Sequence, residues 1–351
     1  MARGTRSRGF VGLVVVAAVT SALVGCTEEA APEPTLPPPS IASRPLPTTL
    51  PDPIPFAVAP LRGTLVAPAS ASGPSLAAKI DDHEEARPQL ALNRTDLVYE
   101  ELVEGGLTRY AAVWQSDVPE QVGPVRSIRP MDPDILTPLG GIVAYSGGQE
   151  RFVEMMQATP LVNLVFDYDD TGLFERADDR PSPHDVILAA SVAVERNSEL
   201  APPARQFRYG GVDPLADPRF AATPTSRIDL VYSPARFPSW EWDAASGSWL
   251  RSQEGAPDAD SSGERVRAAN VVTLRVAIDW TYGEVPKTEL AGSSGEAWVS
   301  AGGRTAHGTW SKADQSAPIV LTADGGGELE LSPGNTWIQL VPTTGSATFV
   351  P

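Results

Sequence analysis

The chain has 351 residues, a formal net charge of −17 and one cysteine, Cys26. Strong negative charge disfavours nucleic acid and anionic lipid headgroups as partners, and a lone thiol excludes an internal disulfide and a thiolate-rich metal site. No cofactor or metal is expected, and the length beyond residue 60 suffices for two cores.

Residues 1–9 carry Arg3, Arg6 and Arg8; an apolar run follows over 10–23, then Leu23-Val24-Gly25-Cys26. A basic start, a short apolar run and small residues before a cysteine is the order of a lipoprotein signal peptide. Residues 1–25 are therefore expected to be removed and Cys26 to be the lipidation site. A membrane-spanning helix is the alternative, but it needs about 20 apolar residues. Diacylglyceryl on Cys26 and a second acyl chain such as palmitate would hold the protein at the extracytoplasmic face of the cell membrane.

Residues 26–59 read as a tether. Eleven prolines fall between Ala31 and Pro60, and proline fixes φ and removes a donor, so this stretch favours polyproline II. At ~3.1 Å per residue it reaches at most roughly 100 Å. Either it spaces the folded part from the membrane or it is a disordered leader without that role.

Over 60–220 the signals are mixed, which predicts an α/β domain. SLAAKID at 75–81 reads as a strand. Two extended runs, 96–104 and 107–115, meet at Gly105-Gly106, a two-residue hairpin signal. Asp132-Pro133 reads as an N-cap with proline at N1, opening a short helix that stops at Gly140-Gly141. A strand at 141–145, a helix at 149–158 and a strand at 161–166 follow. Ser182-Pro183 then caps a helix running to about residue 197.

Over 225–351 short extended runs separated by Gly, Asp, Ser and Pro predict a small all-β sandwich or barrel. The runs are 227–232, 239–243, 248–252, 266–280, 296–301, 307–311, 319–322, 328–331 and 336–341. Seven of the eight tryptophans lie here; they are either core or a platform for sugar rings. The fold class expected is thus α+β.

The hairpin VYEELVEGGLTRYAAVW carries the first candidate chemistry. Alternation puts Glu100, Leu102 and Glu104 on one face of the first strand. A two-residue turn would place Leu102 opposite Arg109, with Arg109 diagonal to Glu100 and Glu104. That face is either a solvated ion-pair ladder or the floor of a polar cleft. In GPVRSIRP, Arg126 and Arg129 emerge before the helix at Asp132, where they suit a planar anion or the chain's own carboxylates. His184, in RPSPHD, is either an acid/base group or a first-turn histidine bonded to the backbone. Nucleophile-elbow, phosphate-loop and HExxH motifs are absent. FDYDDTG faintly resembles a calcium loop but lacks its final glutamate, and Asp81-Asp82-His83-Glu84-Glu85 is either a metal-binding cluster or, as charge runs at a strand end usually are, simply solvated.

ARPQLALNRTDLVYEELVEGGLTRY and GPVRSIRP, with KIDDH, AYSGGQ and RPSPHD, resemble the YerB-like family of bacterial lipoproteins. ANVV and SPGNTWIQLVP match more loosely its β-rich second domain. Asp185, where the family pattern has asparagine, and Glu101, where it has a small residue, depart from it. The resemblance implies a two-domain exported lipoprotein without an established activity. It groups Glu100, Glu104, Arg109, Arg126 and Arg129 as one site.

Two functions remain open at this point. The first is a non-catalytic envelope protein that binds peptidoglycan or an envelope protein in an Arg/Glu cleft. The second is a peptidoglycan-cleaving glycosidase or lytic transglycosylase with Glu100 or Glu104 as general acid and an arginine on an anionic substituent.

Overall fold

Five strands of the N-terminal half build one side of the main sheet: Leu76–Asp81 (β1), Leu97–Leu102 (β2), Thr108–Trp114 (β3), Ile142–Tyr145 (β4) and Val162–Val165 (β5). The C-terminal half contributes Asn270–Val276 (β6), Ser293–Ala301 (β7), Arg304–Lys312 (β8) and Thr336–Pro342 (β9). With Thr223–Pro224 and Val320–Ala323 both paired to β8, the sheet has eleven strands, and the other nine run in the order β8-β7-β6-β9-β2-β3-β1-β4-β5. β9 enters beside β2, parallel to it and to β6, with Ile338 level with both Tyr99 and Val272. The two halves therefore share a sheet. This computed structural model describes residues 55–351, so the leader, Cys26 and most of the proline-rich stretch lie outside the described residues. Ile54–Pro351 cluster as one compact unit.

Alternation along the central strands feeds two cores, one on each face. Tyr99, Ala111, Val113, Ile338 and Leu340 join one core, where the helix Glu150–Gln157 (α1) buries Phe152, Val153 and Met156. Val98, Tyr110, Ala112, Trp114, Trp337 and Val341 join the other. Against that second core lies a six-stranded sheet containing Arg227–Val231, Ser239–Asp243, Ser248–Gln253 and Ser346–Val350. Trp337 is shared: its ring meets Tyr110 at 5.1 Å and Trp240 at 5.2 Å, both edge-on. The C-terminal strands are thus divided between the shared sheet and this covering sheet, where a separate small sandwich or barrel was expected. Gly141 opens β4 at φ +74°, and a Cβ there would lie 2.4 Å from the Ser75 carbonyl oxygen. Only glycine allows that approach.

Several local expectations change. Met131, not Asp132, occupies the N-cap of the helix Asp132–Leu136; the Asp132 carboxylate instead accepts the Arg129 N–H at 2.6 Å. The stretch expected as one helix from residue 182 holds a strand, Val186–Ala189, before a short helix, Ala190–Glu195. Its β-branched VIL run pairs with Phe174–Arg176 and Gln121–Val122, which outweighs helical spacing. The run 266–280 splits into Arg267–Ala268, β6 and Ile278–Tyr282, and 328–331 makes only isolated bridges.

The hairpin loop is the correction that matters for the site. Val103 N–H donates to the Leu107 carbonyl at 2.8 Å, and Glu104–Gly106 forms a 3-10 turn in which both glycines have positive φ. The connection is longer than two residues, so Leu102 pairs with Thr108, Glu101 with Arg109 and Glu100 with Tyr110. A one-residue shift moves a side chain to the opposite face. Arg109 and Glu100 are separated by the sheet.

Candidate functional site

Glu100 lies on the face covered by the six-stranded sheet, fully buried. Both its oxygens lie 3.0 Å from Arg251 Nη2, and Thr108 Oγ1 lies 3.0 Å from Oε1. Beside it Asp82 accepts Thr108 at 2.7 Å, Tyr110 at 2.6 Å and Gln253 at 2.8 Å. Glu100 is a structural residue between the halves, outside any cleft, so the expected grouping of Glu100 with Arg109 does not form.

The other predicted residues converge. Glu104, Arg109, Arg126, Arg129 and His184, with Asp81 and His83, line a cavity of about 190 Å³ on the opposite face. β3 delivers Arg109, whose Nη1 donates to the Ser127 carbonyl at 3.0 Å. The segment after Pro124 runs beside β1, with Arg126 N–H bonded to the Lys79 carbonyl at 2.7 Å. The glycines of AYSGGQ hold this segment: Ile128 N–H donates to the Gly147 carbonyl at 2.9 Å, and Ser146 N–H to the Arg126 carbonyl at 3.0 Å. Arg129 Nε donates to Glu104 Oε2 at 2.7 Å and its Nη1 to the Ile128 carbonyl at 2.8 Å. Arg126 Nε lies 3.3 Å from Asp81 Oδ2.

His184 arrives on a turn, not in the first turn of a helix. Arg180 pins that turn through the Pro88 carbonyl at 2.7 Å, and Arg176 Nη1 binds both oxygens of Asp185 at 2.7 and 2.9 Å. The latter contact accounts for a carboxylate where asparagine was expected. His184 Nδ1 then meets Asp81 Oδ2 at 2.7 Å, and its ring stacks on His83 at 4.4 Å. Asp81 and His83 were missed as partners of the arginines because they read as part of a solvated charge run.

Beneath the cleft floor, Lys79 Nζ contacts Glu101 Oε1, and Asp132 Oδ1 at 2.8 Å, all three side chains fully buried. Two carboxyls share one lysine. Burial, reinforced by the Asp132 charge, pushes the Glu101 carboxyl up to about 8. Glu101 thus replaces the expected small residue with a buried polar triad. In the cleft the balance differs. Burial beside Arg129 and Arg126 pushes the Arg109 guanidinium down to about 9, leaving it a cation at neutral pH. Partial burial would raise Glu104, but its bond to Arg129 outweighs this and holds the carboxyl below its ordinary value.

Of the C-terminal tryptophans, Trp240, Trp249, Trp310 and Trp337 are core, whereas Trp280 is 56% exposed. Trp280 lines a second cavity, of about 500 Å³, which shares Val103 and Glu104 with the arginine cleft. A larger cavity, about 870 Å³, lies elsewhere, and in it Arg94 is already paired with Asp117 at 2.5 Å. Its size does not outweigh the convergence of unlike charges at the smaller cleft. In FDYDDTG, Asp169 turns back on Thr171 N–H at 3.0 Å as an ordinary loop bond.

Residues 61–200 match the family model described as the N-terminal domain of a protein of unknown function (DUF3048), and residues 228–338 match its C-terminal domain. Over 284 residues the chain is 26% identical to the "Putative lipoprotein YerB" of Bacillus subtilis (strain 168), spanning 78% of this chain and 83% of that protein. The crystal structure of YerB from Bacillus subtilis superimposes with a TM-score of 0.72 at 23% identity, covering 83% of this chain and 99% of that one. The mixed N-terminal half and strand-rich C-terminal half are the fold of that structure. Among the described residues no helix is long and apolar enough to cross a membrane.

Proposed function

The chain belongs to the two-domain YerB-like family of DUF3048 proteins, and from that premise we propose an extracytoplasmic lipoprotein, held to the membrane through Cys26, whose cleft binds an anionic group of a cell-envelope ligand without transforming it. The observation that carries this reading is the convergence of Arg109, Arg126 and Arg129 on one cavity of about 190 Å³. Guanidinium forks match carboxylate and phosphate geometry. The backbone carbonyls of Ser127 and Ile128 and the Asp81 carboxylate hold the three arginines in place before a ligand arrives. Carboxylates of peptidoglycan stem peptides have the matching chemistry; an envelope protein with an acidic loop is the other partner class. The acylated cysteine and proline-rich tether support a position from which either could be reached.

A glycosidase or lytic transglycosylase needs a carboxyl that keeps its proton near neutral pH. Burial raises the Glu100 carboxyl, but that side chain is closed off from solvent against Arg251, and Glu104 is held by Arg129 toward its charged form. Both candidate acids therefore weigh against that chemistry.

The test uses the full chain in detergent, sedimented with purified peptidoglycan and assayed for soluble muropeptides. Cosedimentation without release is expected, weakened about tenfold or more by Arg126→Ala or Arg129→Ala, as for a lost charged hydrogen bond. Release of muropeptides that disappears in Glu104→Gln would overturn the reading. So would cosedimentation that neither arginine variant weakens.

A further inference from the structure

Two of the three histidines in the chain meet at the edge of the cleft, delivered by separate loops. His83 caps the 3-10 turn Glu84–Ala86 that follows β1, and His184 sits on the turn before Val186–Ala189. Glu85 completes the group: one ligating atom from each of His83, Glu85 and His184 lies within 4.8 Å of the others. Glu85 Oε2 is 3.4 Å from His184 Nε2 and 3.8 Å from His83 Nδ1.

We infer that His83, Glu85 and His184 form a binding site for a divalent transition cation of the zinc type, with Asp81 orienting His184. Two imidazoles and one carboxylate are a donor set of open zinc sites, and imidazole donors favour such cations over magnesium or calcium. The second observation is the contact on the far side of His184. A metal-bound histidine characteristically gives its other ring nitrogen to a carboxylate. Here Nδ1 is held by Asp81 Oδ2 at 2.7 Å, which leaves Nε2 turned toward Glu85.

The three ligands differ in freedom. The His184 side chain is only 9% exposed, while those of His83 and Glu85 are 33% and 58% exposed. Tetrahedral zinc bonds of ~2.0–2.2 Å put ligand atoms roughly 3.3–3.6 Å apart, a spacing that Glu85 Oε2 and His184 Nε2 already have, so His83 is the ligand that closes in. Coordination through His83 Nδ1 replaces the weak 3.2 Å bond it accepts from Glu85 N–H. The charge of the cation is offset by Asp81, Glu84 and Glu85, with Glu84 Oε2 3.7 Å from His83 Nε2. Arg126, paired with Asp81, bounds the site on the cleft side. The inference does not depend on the cleft binding an anion.

The experiment is metal alone on the full chain in detergent, stripped with chelator and dialysed against zinc chloride or cobalt chloride. One zinc per chain is expected, and cobalt should give the visible absorption of a four-coordinate nitrogen/oxygen site. His83→Ala and Glu85→Gln, at a half-buried and an exposed position and expected to fold, should each reduce zinc affinity about tenfold or more. Asp81→Asn should lower it ~10–100-fold through His184. His307→Ala, at the remaining histidine, should leave it unchanged. Zinc content no higher in the wild-type chain than in a His83→Ala/Glu85→Gln double variant would overturn the inference. Equal loss in His307→Ala would also do so, by marking nonspecific binding.

Discussion

Arg251 holds both oxygens of Glu100 at 3.0 Å, and neither side chain reaches solvent. Glu100 comes from the N-terminal half and Arg251 from the covering sheet, so the pair ties the two halves across a core face. The guanidinium also contacts Asp258 and sits 5.2 Å from the Trp337 ring and 5.4 Å from that of Tyr110. Removing Glu100 takes two charged hydrogen bonds from a buried guanidinium and leaves Asp258 as its salt-bridge partner. Glu100→Ala should therefore cost about 3–5 kcal/mol, read as a lower urea midpoint with an unchanged slope. An apolar replacement of both residues should recover part of the loss. An unmoved midpoint in Glu100→Ala would remove the pair from any structural role.

Glu101 should give stability a pH dependence of opposite sense to an ordinary ion pair. Its carboxyl is raised from the ordinary 4.5 to about 8. Between those values the folded chain holds a proton that the unfolded chain has released, so stability falls as pH rises. The contribution is fully present below about pH 4.5 and lost as pH climbs through 8. Glu101→Gln, a mimic of the protonated form, should flatten that decline in urea titrations across the window. A variant as steep as the wild type would assign the slope to another group.

Glu104 works in the other direction. Its folded-state value lies below the ordinary one, so the stability it contributes is present above 4.5 and lost as pH falls through that depressed value. The carboxylate is 31% exposed, so Glu104→Gln should cost only about 0.2–1 kcal/mol. The same variant frees Arg129 and removes a negative charge from the cleft. Affinity for an anionic muropeptide, measured calorimetrically, should rise several-fold. A loss of affinity would mean that Glu104 contacts the ligand as an acceptor.

Tryptophan positions separate core from surface. Trp249→Ala and Trp337→Ala should each cost about 3–5 kcal/mol, because both side chains are fully buried. Trp280→Ala should change stability by no more than about 0.5 kcal/mol. It should also remove the largest share of the red-shifted, iodide-quenchable fluorescence, since Trp242 and Trp298 are only half-buried and keep the rest. Quenching undiminished by the substitution would place the exposed indole elsewhere.

The strands 75–81, 96–104 and 107–115 were legible because their alternation is local, and all three stand within two residues of the observed bounds. Which way their side chains face was not. Gly105-Gly106 fits a two-residue turn as well as the observed 3-10 turn, and that one-residue difference puts Glu101 in place of Glu100 on the face that carries Arg109. A carboxylate in a strand reads as solvent-facing unless its partner is known, and Arg251 stands 151 residues away. Parallel pairing of β9 with β2 has no local signature, since neither strand is joined to the other by a turn. Arg126 and Arg129 line one cavity with Arg109, a grouping that the family resemblance suggested and that spacing along the chain did not. Asp81 and His83 depended on where a distant loop brings His184, which spacing along the chain does not encode.

The insertion of Thr336–Pro342 between Asn270–Val276 and Leu97–Leu102 sets an order of events during synthesis. A polypeptide made from its amino end presents one hydrogen-bonding edge of Leu97–Leu102 unoccupied until residue 336 has emerged. For most of that time the edge is a template for another extended segment, its own or a neighbour's. Truncation before residue 336 should therefore yield aggregates instead of a smaller folded module.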